Sequence, residues 1–278
     1  MKVGIIGAGT MGAGIAQAFA TNTDYNVILC DISTEYAEQG KKRISVILDK
    51  EIKKARISSS EADSILSRIE TGVIGSVRDS DLVIEAAQEN LEVKREIFKT
   101  LQEICSNDCI FTTNTSSLSI SEIAKDLDHP IVGLHFFNPA PIMPLVEIIQ
   151  GMEKNSDIIL KLKNTCTDIG KTVIEVKESP GFVVNRILIP MINEAIFVLS
   201  EGIASAEDID SAMRLGANHP IGPLALSDLI GNDIVLNIMQ VLHNETGDDK
   251  YRPSYYLKKI VRGGKLGRKT GEGFFKYK

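Results

Sequence analysis

One histidine and one glutamate near the middle of the chain have the types and spacing of an acid–base pair. His135 lies near the end of an apolar run, Glu147 lies inside Leu-Val-Glu-Ile-Ile, and a loop containing three prolines separates them. A carboxylate in such a run is costly to bury unless it has a partner. If the second run folds back beside the first as a strand, Glu147 can orient the His135 imidazole for general-base catalysis. From this pair alone, a core histidine and an unrelated glutamate are the favoured interpretation.

A second constellation, at the start of the chain, is suited to binding phosphate. Residues 7–12 follow a short apolar run and open a helical pattern, as in a dinucleotide-binding loop. The first glycine would permit the tight turn, the second the approach of a pyrophosphate, and the third close helix–strand packing. A purely structural glycine loop is the alternative. The candidate residues are Gly7, Ala8, Gly9, Thr10, Met11 and Gly12.

Asp31 ends the next apolar run, in the position of a ribose-binding carboxylate. Such a group accepts hydrogen bonds from the ribose hydroxyls and repels a 2′-phosphate. The expected cofactor is therefore NAD rather than NADP.

Strand and helix patterns alternate along the first 180 residues, which predicts an α/β fold with a doubly wound, mostly parallel Rossmann-type sheet. A helical insertion is expected at about 34–70. The predicted strands are 2–6, 26–30, about 72–77, 82–86, 110–113, 131–136, 145–149 and 172–176, and the predicted helices are about 11–20, 34–56, 60–68, 91–104, 119–126 and 156–169.

The segment Glu-Ser-Pro-Gly at residues 178–181 interrupts this pattern, and only helical patterns follow it. We therefore expect an NAD-binding domain over residues 1–179 and an all-helical domain over 180–278. The helix predicted at 182–201 is apolar around much of its circumference and must be buried on several sides. A homodimer interface is favoured over burial against the first domain. The other helices are predicted at 205–214, 223–230, 232–244 and 253–262.

Composition narrows the classes of partner. The formal charge of −6, the aromatic content of 5% and the absence of Trp argue against a nucleic-acid or membrane-surface binder. No apolar run has the length of a membrane span, and no leader peptide is expected. The cysteines, which form no metal-binding spacing, are expected to be reduced and structural, as in a cytoplasmic protein. They are Cys30, Cys105, Cys109 and Cys166.

Six segments, spread over nearly the whole chain, resemble the 3-hydroxyacyl-CoA dehydrogenase family, and within it the single-function bacterial 3-hydroxybutyryl-CoA dehydrogenases. The resemblance is most specific in the stretch from histidine to glutamate and in SPGFVVNR. The interval from Ser116 to His135 is about two residues shorter than the family pattern predicts. The segments are GAGTMGAGIA (7–16), QENLEVK (88–94), NTSSLSI (114–120), HFFNPAPIMPLVE (135–147), SPGFVVNR (179–186) and GRKTGEGFF (267–275).

The resemblance implies a role for each candidate residue. His135 would take the proton from a 3-hydroxyl, Glu147 would stabilise the imidazolium, and Ser116 and Asn185 would hydrogen-bond the reacting oxygen. Asn138 would shape the nicotinamide pocket. Glu89, Lys94 and Lys269 would contact the cofactor, and Lys50 and Lys54 would meet the phosphates of CoA.

Each of these assignments has a simpler alternative. Ser116 and Asn185 could cap helices. Glu89, Lys94 and Lys269 could be surface charges, and the basic stretch 41–56 a solvated helix face. Gly271 and Gly273 are expected to serve a terminal turn.

The expected reaction is NAD-dependent, reversible oxidation of a short-chain 3-hydroxyacyl-CoA without a metal ion. Two other functions stay open: dehydrogenation of a free hydroxyacid or sugar acid, and NAD(H) binding without catalysis. The first would need cationic side chains at the substrate carboxylate, and the second would not need His135 or Glu147.

Overall fold

The computed structural model describes residues 1–152 and 155–277. The chain divides into two compact units, Met1–Glu178 and Ser179–Lys278.

Within the described residues of the first unit, eight strands form one sheet in the order β3-β2-β1-β4-β5-β6-β7-β8. The first six strands in this order are parallel, whereas β7 runs antiparallel to β6 and β8 runs parallel to β7. The predicted mostly parallel, doubly wound sheet is confirmed. The strands are β1 (Lys2–Ile6), β2 (Asn26–Cys30), β3 (Ile69–Gly72), β4 (Leu82–Glu85), β5 (Ile110–Thr113), β6 (Ile131–Phe136), β7 (Leu145–Gln150) and β8 (Thr172–Lys177).

The strand order reverses between β1 and β4. In open α/β sheets, ligands bind outside the carboxyl ends of the strands at such a reversal. The glycine loop follows the carboxyl end of β1, which places it at this crevice.

Four helices of the first unit begin at side chains that accept hydrogen bonds from the first turn. Ser33, Asn90 and Ser119 cap α2, α4 and α5, and Ser58 forms a capping box with Glu61 at α3. The two helices of the predicted insertion, α2 and α3, pack against each other and against α1. The helices are α1 (Thr10–Thr21), α2 (Thr34–Lys53), α3 (Ser59–Ser67), α4 (Leu91–Ile104), α5 (Ile120–Ile123) and α6 (Ser156–Asp168).

The strand predicted at 72–77 is wrong. Strand β3 ends at Gly72, and residues Ile74–Val77 form a single 3₁₀ turn. An added Cβ at Gly72 would lie only 2.3 Å from the hydroxyl oxygen of Ser76, so the chain folds back tightly at this glycine. Helix α5 is also shorter than the predicted 119–126, because it ends at Ile123 and Asp126 adopts a left-handed φ of 67°.

The second unit consists of helices, as predicted. Helix α7 contacts each of the other four helices, α8 to α11. The apolar circumference of α7 is therefore explained largely by packing within this unit. The helices are α7 (Val184–Ser200), α8 (Ala206–Gly216), α9 (Pro223–Ile230), α10 (Asn232–Thr246) and α11 (Tyr255–Arg262).

The GRKTGEGFF segment closes over a buried carboxylate on α9. Asp228 accepts hydrogen bonds from the backbone N–H groups of Phe274 and Phe275, each at 2.9 Å, and from the Tyr277 hydroxyl at 3.0 Å. An added Cβ at Gly273 would lie 1.8 Å from an oxygen of this carboxylate. Much of this family motif therefore has a structural explanation.

Across the described ranges, no single helix combines the length and apolarity needed to cross a bilayer, although α9 and α10 would meet both criteria together as a pair bent by 97°.

Candidate active site

A different physical reason explains the presence of glycine at each of the three glycine positions of the first loop. Gly7 has a φ of 102°, and an added Cβ there would lie 2.6 Å from the backbone oxygen of Ala86. An added Cβ at Gly12 would lie 1.7 Å from the carbonyl oxygen of Gly7, so this glycine permits α1 to pack on the loop. Gly9, by contrast, has an ordinary φ of −69° and no heavy atom within 4 Å of an added Cβ.

The space beside Gly9 is the observation that fits a dinucleotide. The protein's own packing does not require a glycine here, whereas a close-lying ligand would. Gly9 is also the N-cap of α1 and supplies no side-chain acceptor, so the first-turn N–H groups can meet a pyrophosphate at the positive end of the helix dipole.

The carboxylate of Asp31 is fixed against this loop. One oxygen accepts a hydrogen bond from the Ala8 N–H at 2.7 Å, and the other accepts one from the Ile32 N–H at 2.8 Å. Asp31 is half-buried and lies just beyond the end of β2. The predicted ribose-binding carboxylate thus lies in direct contact with the predicted phosphate-binding loop.

His135 and Glu147 face each other across the antiparallel pair β6 and β7. The two residues are register partners, and the His135 Nδ1 lies 2.8 Å from Glu147 Oε2. The Glu147 side chain is 0% exposed and that of His135 is 7% exposed. A carboxylate oxygen facing Nδ1 favours the tautomer with hydrogen on Nδ1. The sequence-based expectation that these side chains meet agrees with this geometry.

A buried lysine holds the proline-containing loop between these strands. The Lys171 ammonium donates to the carbonyl oxygens of Ala140 at 2.6 Å and Met143 at 2.9 Å. Its burial lowers the pKa of Lys171. Asn138 lies exposed in the same loop, before a cis peptide bond to Pro139. Lys171 could not be predicted from the sequence, because nothing in its local pattern marks it as buried.

Glu89 organises the turn that carries Ser116. Its Oε1 accepts from the Thr115 hydroxyl at 2.7 Å, from the Ser116 N–H at 2.8 Å and hydroxyl at 3.0 Å, and from the Ser117 N–H at 3.2 Å. Burial acts to raise the pKa of Glu89, but the Lys94 charge and the hydrogen bonds from Thr115 and Ser116 outweigh it, so the pKa is lowered. Ser119, rather than Ser116, caps α5, so the capping alternative for Ser116 is wrong.

Lys94 is buried rather than a surface charge, so that alternative is wrong for this residue. Its side chain is 1% exposed, and its ammonium lies 2.8 and 2.9 Å from the two carboxylate oxygens of Glu85 and 3.4 Å from Glu89 Oε2. Glu85, which is not among the residues predicted from the sequence, also accepts from the Thr113 hydroxyl at 2.6 Å and the Ala87 N–H at 2.7 Å.

Two candidate residues lie in the second unit. Asn185 is half-buried in the first turn of α7, whose N-cap is Val183, so the capping alternative for Asn185 is wrong. Lys269 forms an exposed ion pair with Asp233, at 2.6 Å.

The predicted CoA-binding lysines lie at the carboxyl end of α2. Lys50 is exposed in the last turn, and Lys54 is the C-cap residue. The Lys54 ammonium lies 3.4 Å from a Glu51 carboxylate oxygen.

Two family models together cover nearly the whole chain. The model for the NAD-binding domain of 3-hydroxyacyl-CoA dehydrogenase matches residues 2–179, and the model for the C-terminal domain of the same enzymes matches residues 181–277. The chain belongs to the 3-hydroxyacyl-CoA dehydrogenase family. It is thus an oxidoreductase with an NAD-binding domain.

Individual relatives are similar to this chain over nearly their whole length. A 3-hydroxybutyryl-CoA dehydrogenase from Clostridioides difficile is 47% identical, with 100% of this chain and 99% of the relative aligned. A probable 3-hydroxybutyryl-CoA dehydrogenase from Bacillus subtilis is 45% identical, with 99% and 97% aligned. The crystal structure of (S)-3-hydroxybutyryl-CoA dehydrogenase from Ralstonia eutropha superposes with a TM-score of 0.94 at 46% identity, covering 100% of this chain and 99% of that one.

Proposed function

We propose that this enzyme catalyses the reversible, NAD-dependent oxidation of (S)-3-hydroxybutyryl-CoA to acetoacetyl-CoA. The names of the similar full-length enzymes from three bacteria support this substrate. The single observation that carries the chemistry is the buried His135–Glu147 pair, with an Nδ1-to-Oε2 distance of 2.8 Å.

In the proposed reaction, His135 Nε2 takes the proton of the 3-hydroxyl during oxidation and returns it during reduction. NAD, when bound, would supply the acceptor for the hydride of C3 in oxidation and, as NADH, the hydride donor in reduction. Protonation makes His135 an imidazolium, and the Glu147 carboxylate stabilises that charge from the opposite ring nitrogen.

Three polar side chains complete the proposed site. Asn185 donates a hydrogen bond to the reacting oxygen. The Ser116 hydroxyl, which donates to Glu89 Oε1 in this structure, turns to donate to the same oxygen when substrate is bound, and the two donors polarise the carbonyl in the reduction direction. Asn138, on the loop held by Lys171, shapes the nicotinamide pocket. These donors and the imidazolium make a metal ion unnecessary for the proposed reaction.

The proposed cofactor site combines a loop, a carboxylate and more distant charges. The loop 7–12 binds the pyrophosphate, and Asp31 binds the adenosine ribose and discriminates against NADP. Glu89 and Lys269 complete the set of cofactor contacts, whereas the buried Lys94 acts through Glu89 rather than by touching the cofactor. Lys50 and Lys54 attract the phosphates of CoA.

One assay separates the candidate functions. NADH oxidation is measured with acetoacetyl-CoA, with longer 3-oxoacyl-CoAs and with free acetoacetate, and the acetoacetyl-CoA reaction is repeated with NADPH. We expect the highest kcat/KM for acetoacetyl-CoA with NADH. Preference for the free acid would support a hydroxyacid dehydrogenase, and NADH binding without turnover would support a non-catalytic protein.

We further propose that the enzyme is a cytoplasmic homodimer. All four cysteines are free thiols, and three of them are buried, which fits a reducing compartment. The second unit exposes several large apolar side chains, which a subunit interface would bury. They include Ile187, Ile203, Leu215, Leu229 and Tyr255.

A further inference from the structure

A network of three charges, two of them fully buried, lies at the carboxyl ends of β4 and β5. Glu85 is the last residue of β4, and Lys94 lies on α4. The side chains of Glu85 and Lys94 are 0% and 1% exposed. Glu89, in the connection between β4 and α4, is the third member, 3.4 Å from the Lys94 ammonium. Burying an ion pair carries a large desolvation cost, so a site that retains one calls for an explanation beyond stability.

The Glu85 carboxylate is held at both of its oxygens. Oε1 accepts from the Ala87 N–H and the Lys94 ammonium, and Oε2 accepts from the Thr113 hydroxyl and the same ammonium. The connection after Glu85 also lies against the glycine loop, since Ala86 donates a backbone hydrogen bond to the last residue of β1 at 2.7 Å. The pair is therefore fixed to the sheet.

Lys94 transmits this fixed position to Glu89. A lysine stem is flexible, and its ammonium has no preferred direction of its own. Here the two carboxylate oxygens of Glu85 hold the Lys94 ammonium, which lies beside Glu89 Oε2. The other oxygen of Glu89, Oε1, accepts hydrogen bonds from donors of residues 115–117. The chain of contacts runs from the sheet through Glu85, Lys94 and Glu89 to Ser116.

We propose that Glu85 is a positioning residue for the dehydrogenase reaction: it anchors Lys94, which holds Glu89, which in turn places the Ser116 hydroxyl. This inference rests on the proposed function, in which Ser116 binds the reacting oxygen. In Glu85→Gln, Lys94 keeps only Glu89 as a counter-charge and shifts toward it, so the turn at 115–117 loses its fixed acceptor.

The first test does not depend on turnover. Hydrogen–deuterium exchange is measured for the amides of Ser116 and Ser117, which donate to Glu89, in Glu85→Gln and in a matched control, Glu96→Gln. Glu96 lies on α4 with a side chain 68% exposed. We expect about tenfold faster exchange in Glu85→Gln only. Equal exchange in the two variants would overturn the proposal, whatever the substrate of the enzyme is.

The second test separates positioning from stability. Glu85→Gln should lower kcat for acetoacetyl-CoA reduction by about tenfold or more. In the double variant Glu85→Gln/Lys94→Met, no buried charge is left unpaired, so the free energy of unfolding should recover toward that of the wild type. The kcat should stay low, and the acid limb of the pH–rate profile should move to higher pH, because Glu89 has lost the nearby ammonium.

Recovery of kcat together with stability would show that the pair is merely structural. Absence of acetoacetyl-CoA reduction by the wild-type enzyme would instead refute the proposed function, and the exchange experiment would still decide the role of Glu85.

Discussion

The ring nitrogen of His135 that faces away from Glu147 is the atom on which the proposed proton transfer depends. Replacing His135 by Gln removes the imidazole, which accepts and returns the proton in the proposed reaction. We expect kcat to fall by about 10²–10⁴-fold. NADH affinity, measured by fluorescence titration, should stay close to that of the wild type. Near-normal turnover would exclude His135 as the general base.

Glu89 gives a residue-scale prediction about pH. Its pKa is lower in the folded protein than its ordinary value of 4.5, so the carboxylate contributes stability above that value. This contribution is lost as the pH falls through 4.5 toward the folded pKa. The free energy of unfolding, measured by urea denaturation, should therefore decrease less in Glu89→Gln than in the wild type between about pH 6 and about pH 3. This is the range in which carboxyl groups titrate. Curves that run parallel for the two proteins would contradict this origin of the shift.

Lys54 is the residue at which the proposed CoA contact can be tested. Lys54→Glu should raise KM for acetoacetyl-CoA while changing kcat little, because the lost attraction acts on binding rather than on the reacting atoms. Lys42→Glu is the matched control, since Lys42 is also exposed on α2 and the charge change is the same. A KM equal to that of the control would remove Lys54 from the CoA site.

The same physical reasoning that identified Glu147 could have identified Glu85. Both are carboxylates inside apolar runs, Leu-Val-Glu-Ile-Ile and Leu-Val-Ile-Glu-Ala, and each needs a buried partner. Lys94 was noticed only through family resemblance, and its burial could not be predicted, because it occupies an ordinary helical position. Lys171 carries no local signal at all, since its partners are backbone carbonyls about 30 residues away.

At the scale of elements, two glycines of the same loop are needed for different reasons. The fold requires Gly12, whereas Gly9 leaves room for the proposed ligand. Gly9→Val should leave the thermal unfolding temperature nearly unchanged and weaken NADH binding strongly, because its side chain enters space that the protein leaves open. Gly12→Ala should destabilise the fold by at least about 1–3 kcal/mol, because its Cβ would meet the Gly7 carbonyl. Similar unfolding temperatures for the two variants would contradict this distinction.

Most elements were predictable from apolar periodicity and capping residues, and the exceptions have local causes. The apolar residues after Gly72 resemble a strand, but a hydrogen bond from the Ser76 N–H to the Val73 carbonyl closes a turn there. The short α5 ends before a residue with positive φ, which periodicity does not reveal. The sheet order also lies beyond local patterns, because long-range pairing determines it.

At the scale of the whole molecule, the proposed homodimer gives a direct prediction. Sedimentation velocity at micromolar concentration should yield a species of twice the 30.4 kDa chain mass. The exposed apolar side chains of the second unit, such as Leu215 at 86%, provide the driving force. A dilution series is the internal control, and a monomer at every concentration would contradict the proposal.

The antiparallel pairing of β6 and β7 has a consequence for engineering. His135 and Glu147 meet because of strand register, so the connection from residue 137 to 144 does not itself bring them together. Insertions into that connection can reshape its outer surface while the partners stay opposite each other. A slip of a single residue within the ladder, however, would turn Glu147 to the other side of the sheet and abolish the dyad.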